Sequence, residues 1–127
     1  MDSKTYIHDA KRTESQNFDE IAGRLSQRKM IRLLHSAMGV STEAGELLDA
    51  LKKHIYYGKK LDETNLQEEL GDLFWYLAIM ADELDVDFES LMHKNIEKLR
   101  ARYGEKFTSQ KAIHRDLELE RQTLENS

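Results

Sequence analysis

The chain has no cysteine and no proline in its 127 residues. Without cysteine there can be no disulfide, no thiolate metal ligand and no cysteine nucleophile. Without proline, loop-rich and sandwich folds lose their usual punctuation, which favours long helices joined by short turns. No apolar run approaches the roughly 18 residues of a membrane span. The N-terminal stretch MDSKTYIHDAKRTES lacks the apolar core of a signal peptide. The chain also lacks a basic excess. Its formal net charge is −5, against a main role in gripping nucleic acid. The expectation is an acidic, all-α, cytoplasmic domain with neither a membrane nor a nucleic-acid partner.

The patterning is helical throughout. Tyr6, Ile7 and Ala10 form a weak stripe near the N-terminus. Over 26–57 the apolar positions Met30, Leu33, Ala37, Val40, Ala44, Leu48, Leu51 and Ile55 recur near the 3.6-residue period. They predict one long helix, kinked near Gly39–Val40–Ser41 and ended by Gly58. A further helix is expected from Asp62 or Thr64 to Leu84. Its segment 73–81 carries no charge for nine residues. A helix apolar all round is covered on several sides, and so small a domain needs a second subunit for that. Asp87 caps a helix over 88–103, which Gly104 ends. The tail carries Ile113, Leu117 and Leu124 at helical spacing. It reads as a peripheral or partner-packing helix, so residues 1–107 form the domain and 108–127 a C-terminal helical extension.

Two short motifs carry chemistry: Glu43-Ala44-Gly45-Glu46 and Glu69-Leu70-Gly71-Asp72. Acids at i,i+3 on a helix project from one face. Most helical acids are surface residues with a lysine or arginine one turn away. These four have none at i±3 or i±4, and several of those neighbours are acidic. Asp49, by contrast, has Lys52 and Lys53. Asp82, Glu83, Asp85 and Asp87 also lack such cations, but they fall at a helix end and cap, where solvent suffices. Glu69 and Asp72 run straight into the apolar 73–81 segment, and carboxylates beside a core need a counter-charge. Oxygen donors suit a hard divalent cation, Mg²⁺ or Mn²⁺. No histidine follows a glutamate at i+3, which rules out the ferritin-like di-iron pattern, and there is no EF-hand loop.

Groups for phosphate are also present. Asn95, Lys98 and Arg102 follow i, i+3, i+7 along one helix and suit a polyphosphate beside a metal. The plainer alternative is basic residues placed at a helix C-terminus by the macrodipole. His35 and His54 fall on roughly the side of Glu43 and Glu46. Gly39 and Ala50 leave that side uncrowded, as a cleft would need, though small residues equally permit close helix packing. The basic run Arg24, Arg28, Lys29 and Arg32 reads as a solvated face.

In these residues the chain resembles the MazG-like all-α nucleoside triphosphate pyrophosphohydrolases. Their pattern is E-x-x-E, a spacer, then E-x-x-D; here the spacer is 22 residues. The segments TEAGELLDALKKHIYYGKKLD, ELGDLFWYLA and KNIEKLRARYGEKF carry the likeness over about 33–107. The resemblance implies a helical bundle of four to five helices, an obligate homo-oligomer working as a homodimer or homotetramer. It implies hydrolysis of a (d)NTP to the monophosphate and pyrophosphate with Mg²⁺, Mn²⁺ being a substitute. Glu43, Glu46, Glu69 and Asp72 would hold metal, with Glu46 also activating the nucleophile. Asn95 and Lys98 would contact phosphate or sugar, with Arg102, Lys53 and His35 as further substrate contacts. The competing readings are a non-catalytic nucleotide-binding relative and a structural oligomerisation domain.

Overall fold

In the computed structural model residues 1–104 and 106–126 are described, and among them there are seven helices and no strand. They are α1 (Ser3–Thr13), α2 (Phe18–Leu25), α3 (Arg28–Tyr57), α4 (Glu63–Glu83), α5 (Phe88–Tyr103), α6 (Ser109–Ile113) and α7 (Leu117–Asn126). The all-α expectation holds, but there are more helices than the four to five anticipated. Part of the surplus is α2, over 18–25 where no helix was expected, set off from α3 by extended backbone at Gln27. In the tail, Thr108 accepts from the Lys111 amide and Asp116 from the Leu119 amide, so two N-caps start two short helices where one was expected.

The long elements end where local chemistry dictates. Gly58 closes α3 in the left-handed conformation, φ 65°, which a residue without a β-carbon adopts at little cost. Asp62 caps α4 by accepting from the Asn65 amide at 3.1 Å. Asp87 caps α5 through the Ser90 amide at 2.7 Å. Helix α3 runs unbroken through Gly39–Val40–Ser41, as a single helix of 30 residues.

Helices α3 and α4 form an antiparallel hairpin, the largest packing unit of the chain. Ser36 is fully buried in it and returns its hydroxyl to the Arg32 carbonyl at 2.9 Å. The Tyr76 ring fills the space beside Gly39, so this glycine serves close packing and leaves no cleft. At the open end, Arg32 reaches across to Asp82 at 2.6 Å and Glu83 at 2.5 Å. A cation from the neighbouring helix thus compensates the half-covered Glu83 and joins solvent at the still exposed Asp82, and Arg32 is correspondingly not part of a merely solvated basic face.

Helix α5 packs on α7 and, less extensively, on α6, and has no comparable contact with the hairpin. The chain by itself leaves much apolar surface uncovered. Phe74 is 63% and Trp75 55% exposed, in the charge-free segment of α4. Accessible surface totals 10540 Å², whereas a compact monomer of this mass exposes about 7,000 Å². No helix among the described residues is long and apolar enough to cross a membrane.

Candidate metal centre

Glu43 on α3 and Glu69 and Asp72 on α4 meet across the hairpin, each offering a carboxylate oxygen within 4.8 Å of the others. Antiparallel packing brings together residues 26 or more positions apart, and the i,i+3 spacing puts Glu69 and Asp72 on one side of α4. Glu69 is 5% exposed and accepts from the Asn65 amide nitrogen, one turn earlier, at 2.7 Å. Asn65 was not singled out in the sequence, although its i−4 position was the available signal. Glu43 is half-buried and receives the Thr42 hydroxyl at 3.2 Å.

The electrostatics of the cluster are unrelieved. Burial pushes the Glu43 carboxyl above its ordinary range. The Thr42 hydroxyl works against that, and Glu69 and Glu46 add to it. No lysine, arginine or histidine pairs with Glu43, Glu46, Glu69 or Asp72 among the described residues. A hard divalent cation would supply the missing counter-charge. Octahedral Mg²⁺ sets its oxygens about 3–4 Å apart, a spacing compatible with carboxylate oxygens that all lie within 4.8 Å of one another. The donor set is all carboxylate, as such a cation prefers.

A family profile described as MazG nucleotide pyrophosphohydrolase domain matches residues 34–107. The chain belongs to that family. All three clustered carboxylates, and Glu46, lie inside the matched segment, whereas α6 and α7 lie beyond it. The chain is also 35% identical over 74 residues to "Gene 37 protein" of Mycobacterium phage L5, a match covering 55% of this chain and 65% of that protein. It therefore spans somewhat under two thirds of that relative's length. No solved structure matches the chain.

The remaining candidates of this MazG domain fall in different places. Glu46 is exposed and stands outside the three-carboxylate group, but close enough to raise the Glu43 carboxyl. Lys53 is held by Asp49 at 2.6 Å, with Lys52 on the other oxygen at 2.7 Å. Together these lysines hold the Asp49 carboxyl down at about 2. His35 stands edge-on to Tyr76 at 5.7 Å and Trp75 at 6.4 Å, part of an aromatic group two turns from Glu43. His54 donates from Nδ1 to the Lys59 carbonyl at 2.8 Å, closing the end of α3. Asn95 and Lys98 lie on α5, away from the hairpin's packed face. Arg102 is engaged by Glu120 of α7, outside the matched segment.

Proposed function

We propose that the protein is a Mg²⁺-dependent nucleoside triphosphate pyrophosphohydrolase, with Mn²⁺ as a substitute, acting as a homodimer or homotetramer. The observation that carries this reading is the convergence of Glu43, Glu69 and Asp72 without a cation, in a chain of the MazG family. Those three carboxylates would hold the metal. When bound, divalent ions would neutralise the triphosphate and acidify a water molecule.

The chain's own groups would do the rest. Glu46 lies one turn along α3 from Glu43 and is exposed, and it would orient the attacking water and take its proton. Water oxygen bonds to the α-phosphorus, the α–β bridging bond breaks, and pyrophosphate leaves. Lys98 and Asn95 would contact phosphate and sugar, Lys98 stabilising charge on the transferred group. The exposed ring of Trp75 with His35 offers an apolar platform for the base.

A second subunit is integral to this proposal. Helix α5 does not pack on the hairpin of its own chain, and the exposed α4 segment needs a cover. The surface excess of about 3,500 Å² per chain over a compact monomer is more than enough to supply one partner's share of an obligate dimer interface, about 1,000–2,500 Å². The decisive assay is pyrophosphate release across all canonical NTPs and dNTPs, with and without Mg²⁺. Wild type should release pyrophosphate only with the metal, and folded Glu46→Gln and Asp72→Asn should not. Near-normal turnover by either variant would remove the site assignment.

A further inference from the structure

The face of α5 read as phosphate-binding bears three polar groups, and only one of them is occupied. Asn95 and Lys98 have no side-chain partner among the described residues. Arg102, on the same face at i+7 and i+4, is gripped by Glu120 of α7. Its Nε donates to one carboxylate oxygen at 2.7 Å and its Nη2 to the other. The Tyr103 ring flanks the guanidinium, 5.5 Å from its centroid. Glu120 is 5% exposed, and it also accepts from Arg115 Nη2 at 2.7 Å and Nε at 3.3 Å.

A planar guanidinium offers a carboxylate the same two-pronged donor set that it offers a phosphate. Glu120 and a polyphosphate would therefore compete for one fork. Stripping a buried carboxylate of its sole partner is strongly unfavourable, and that would make an ordinary buried pair inert. Here Arg115 stays on Glu120 when Arg102 leaves, so the carboxylate is never orphaned and exchange is feasible. Two cations against one carboxylate also leave a net positive charge to draw an anion in. Helix α7 packs on α5 and on no other helix to a comparable extent, and it lies outside the family-matched segment.

We infer that the C-terminal helix is an autoinhibitory clamp: Glu120 withholds Arg102 from the nucleotide's phosphates, and Arg115 makes that hold reversible. The clamp rests on the reading of α5 as the phosphate-contacting face. It sets the nucleotide concentration at which the site fills, since binding must displace Glu120.

The test is calorimetric binding of a non-hydrolysable α,β-imido nucleoside triphosphate, with Mg²⁺, to the full chain and its variants. Glu120→Gln should tighten binding by about tenfold, the effect of freeing one charge-assisted bidentate pair. Loss of α7 in that variant would also free Arg102, so the expected direction does not depend on α7 staying folded. Arg115→Gln should act oppositely and weaken binding, because Glu120 is then committed to Arg102 alone. Glu120→Gln combined with Arg102→Gln should lose the gain. If Lys98→Gln weakens binding while Glu120→Gln leaves it unchanged or weaker, the clamp is overturned and the phosphate face stands. If Lys98→Gln has no effect, the phosphate face itself falls, and the clamp with it.

Discussion

The ring of Tyr76 on α4 occupies the position that a β-carbon on residue 39 of α3 would take. Gly39 is buried, and its bare backbone is what lets the two helices approach. The contact lies about one turn from Glu43, so it also sets how closely the carboxylates of α3 and α4 meet.

Gly39→Ala should therefore destabilise the protein, despite the roughly 1 kcal/mol by which alanine is favoured in a helix interior. Forcing a methyl into a filled space costs about 1–3 kcal/mol. Denaturant unfolding measures the balance. Gly39→Ala combined with Tyr76→Leu should recover part of the loss. A more stable Gly39→Ala protein would show that the ring yields easily.

Arg32→Gln should loosen the end of the hairpin, since it removes the partner of both Asp82 and Glu83. The Arg32 guanidinium is held more basic than usual by hydrogen bonds to Asp82 and then Glu83. The side chain is partly solvated, so the melting-temperature deficit should shrink as salt is raised. A deficit independent of salt would point to lost packing instead.

Mg²⁺ should raise the melting temperature of the protein, because an ion that binds only the folded state stabilises it by mass action. Glu69→Gln should abolish that rise without unfolding the metal-free chain, as one of three like charges is removed. A thermal shift that survives in Glu69→Gln would place the ion elsewhere.

The acid limb of stability should report Glu120. Hydrogen bonds from Arg102, then Arg115, hold its carboxyl down at about 2, against 4.5 for an unpaired glutamate. A lowered folded-state value means stability that is complete above the unfolded value and lost as pH falls through the folded one. Helicity followed by circular dichroism should therefore decline from about pH 4.5 towards about pH 2 through this group. The groups facing it are Arg102 and Arg115, with Tyr103 nearby. Glu120→Gln should flatten its share of that decline.

Phe74→Glu should shift sedimentation towards a monomer, since the exposed face of α4 is where the subunits are proposed to meet. An unchanged assembly would move the contact to another face.

Sequence alone determined the helical class, the stop at Gly58 and the cap at Asp87, because each depends on neighbours within one or two turns. It also determined that Glu43, Glu69 and Asp72 have no cation at helical spacing on their own helices, and it carried the resemblance that the family match later showed. Local spacing could not show which cations arrive from another helix. Asp82 and Glu83 looked as unpaired as the site carboxylates until α3 delivered Arg32, and Arg102 looked free until α7 delivered Glu120. Nor could spacing separate Glu46 from the other three, or tell a cleft from a packing contact at Gly39. Those are questions of distance between chain segments many residues apart. Only packing sets such distances, because helix-to-helix approach is decided by which side chains fill the space between.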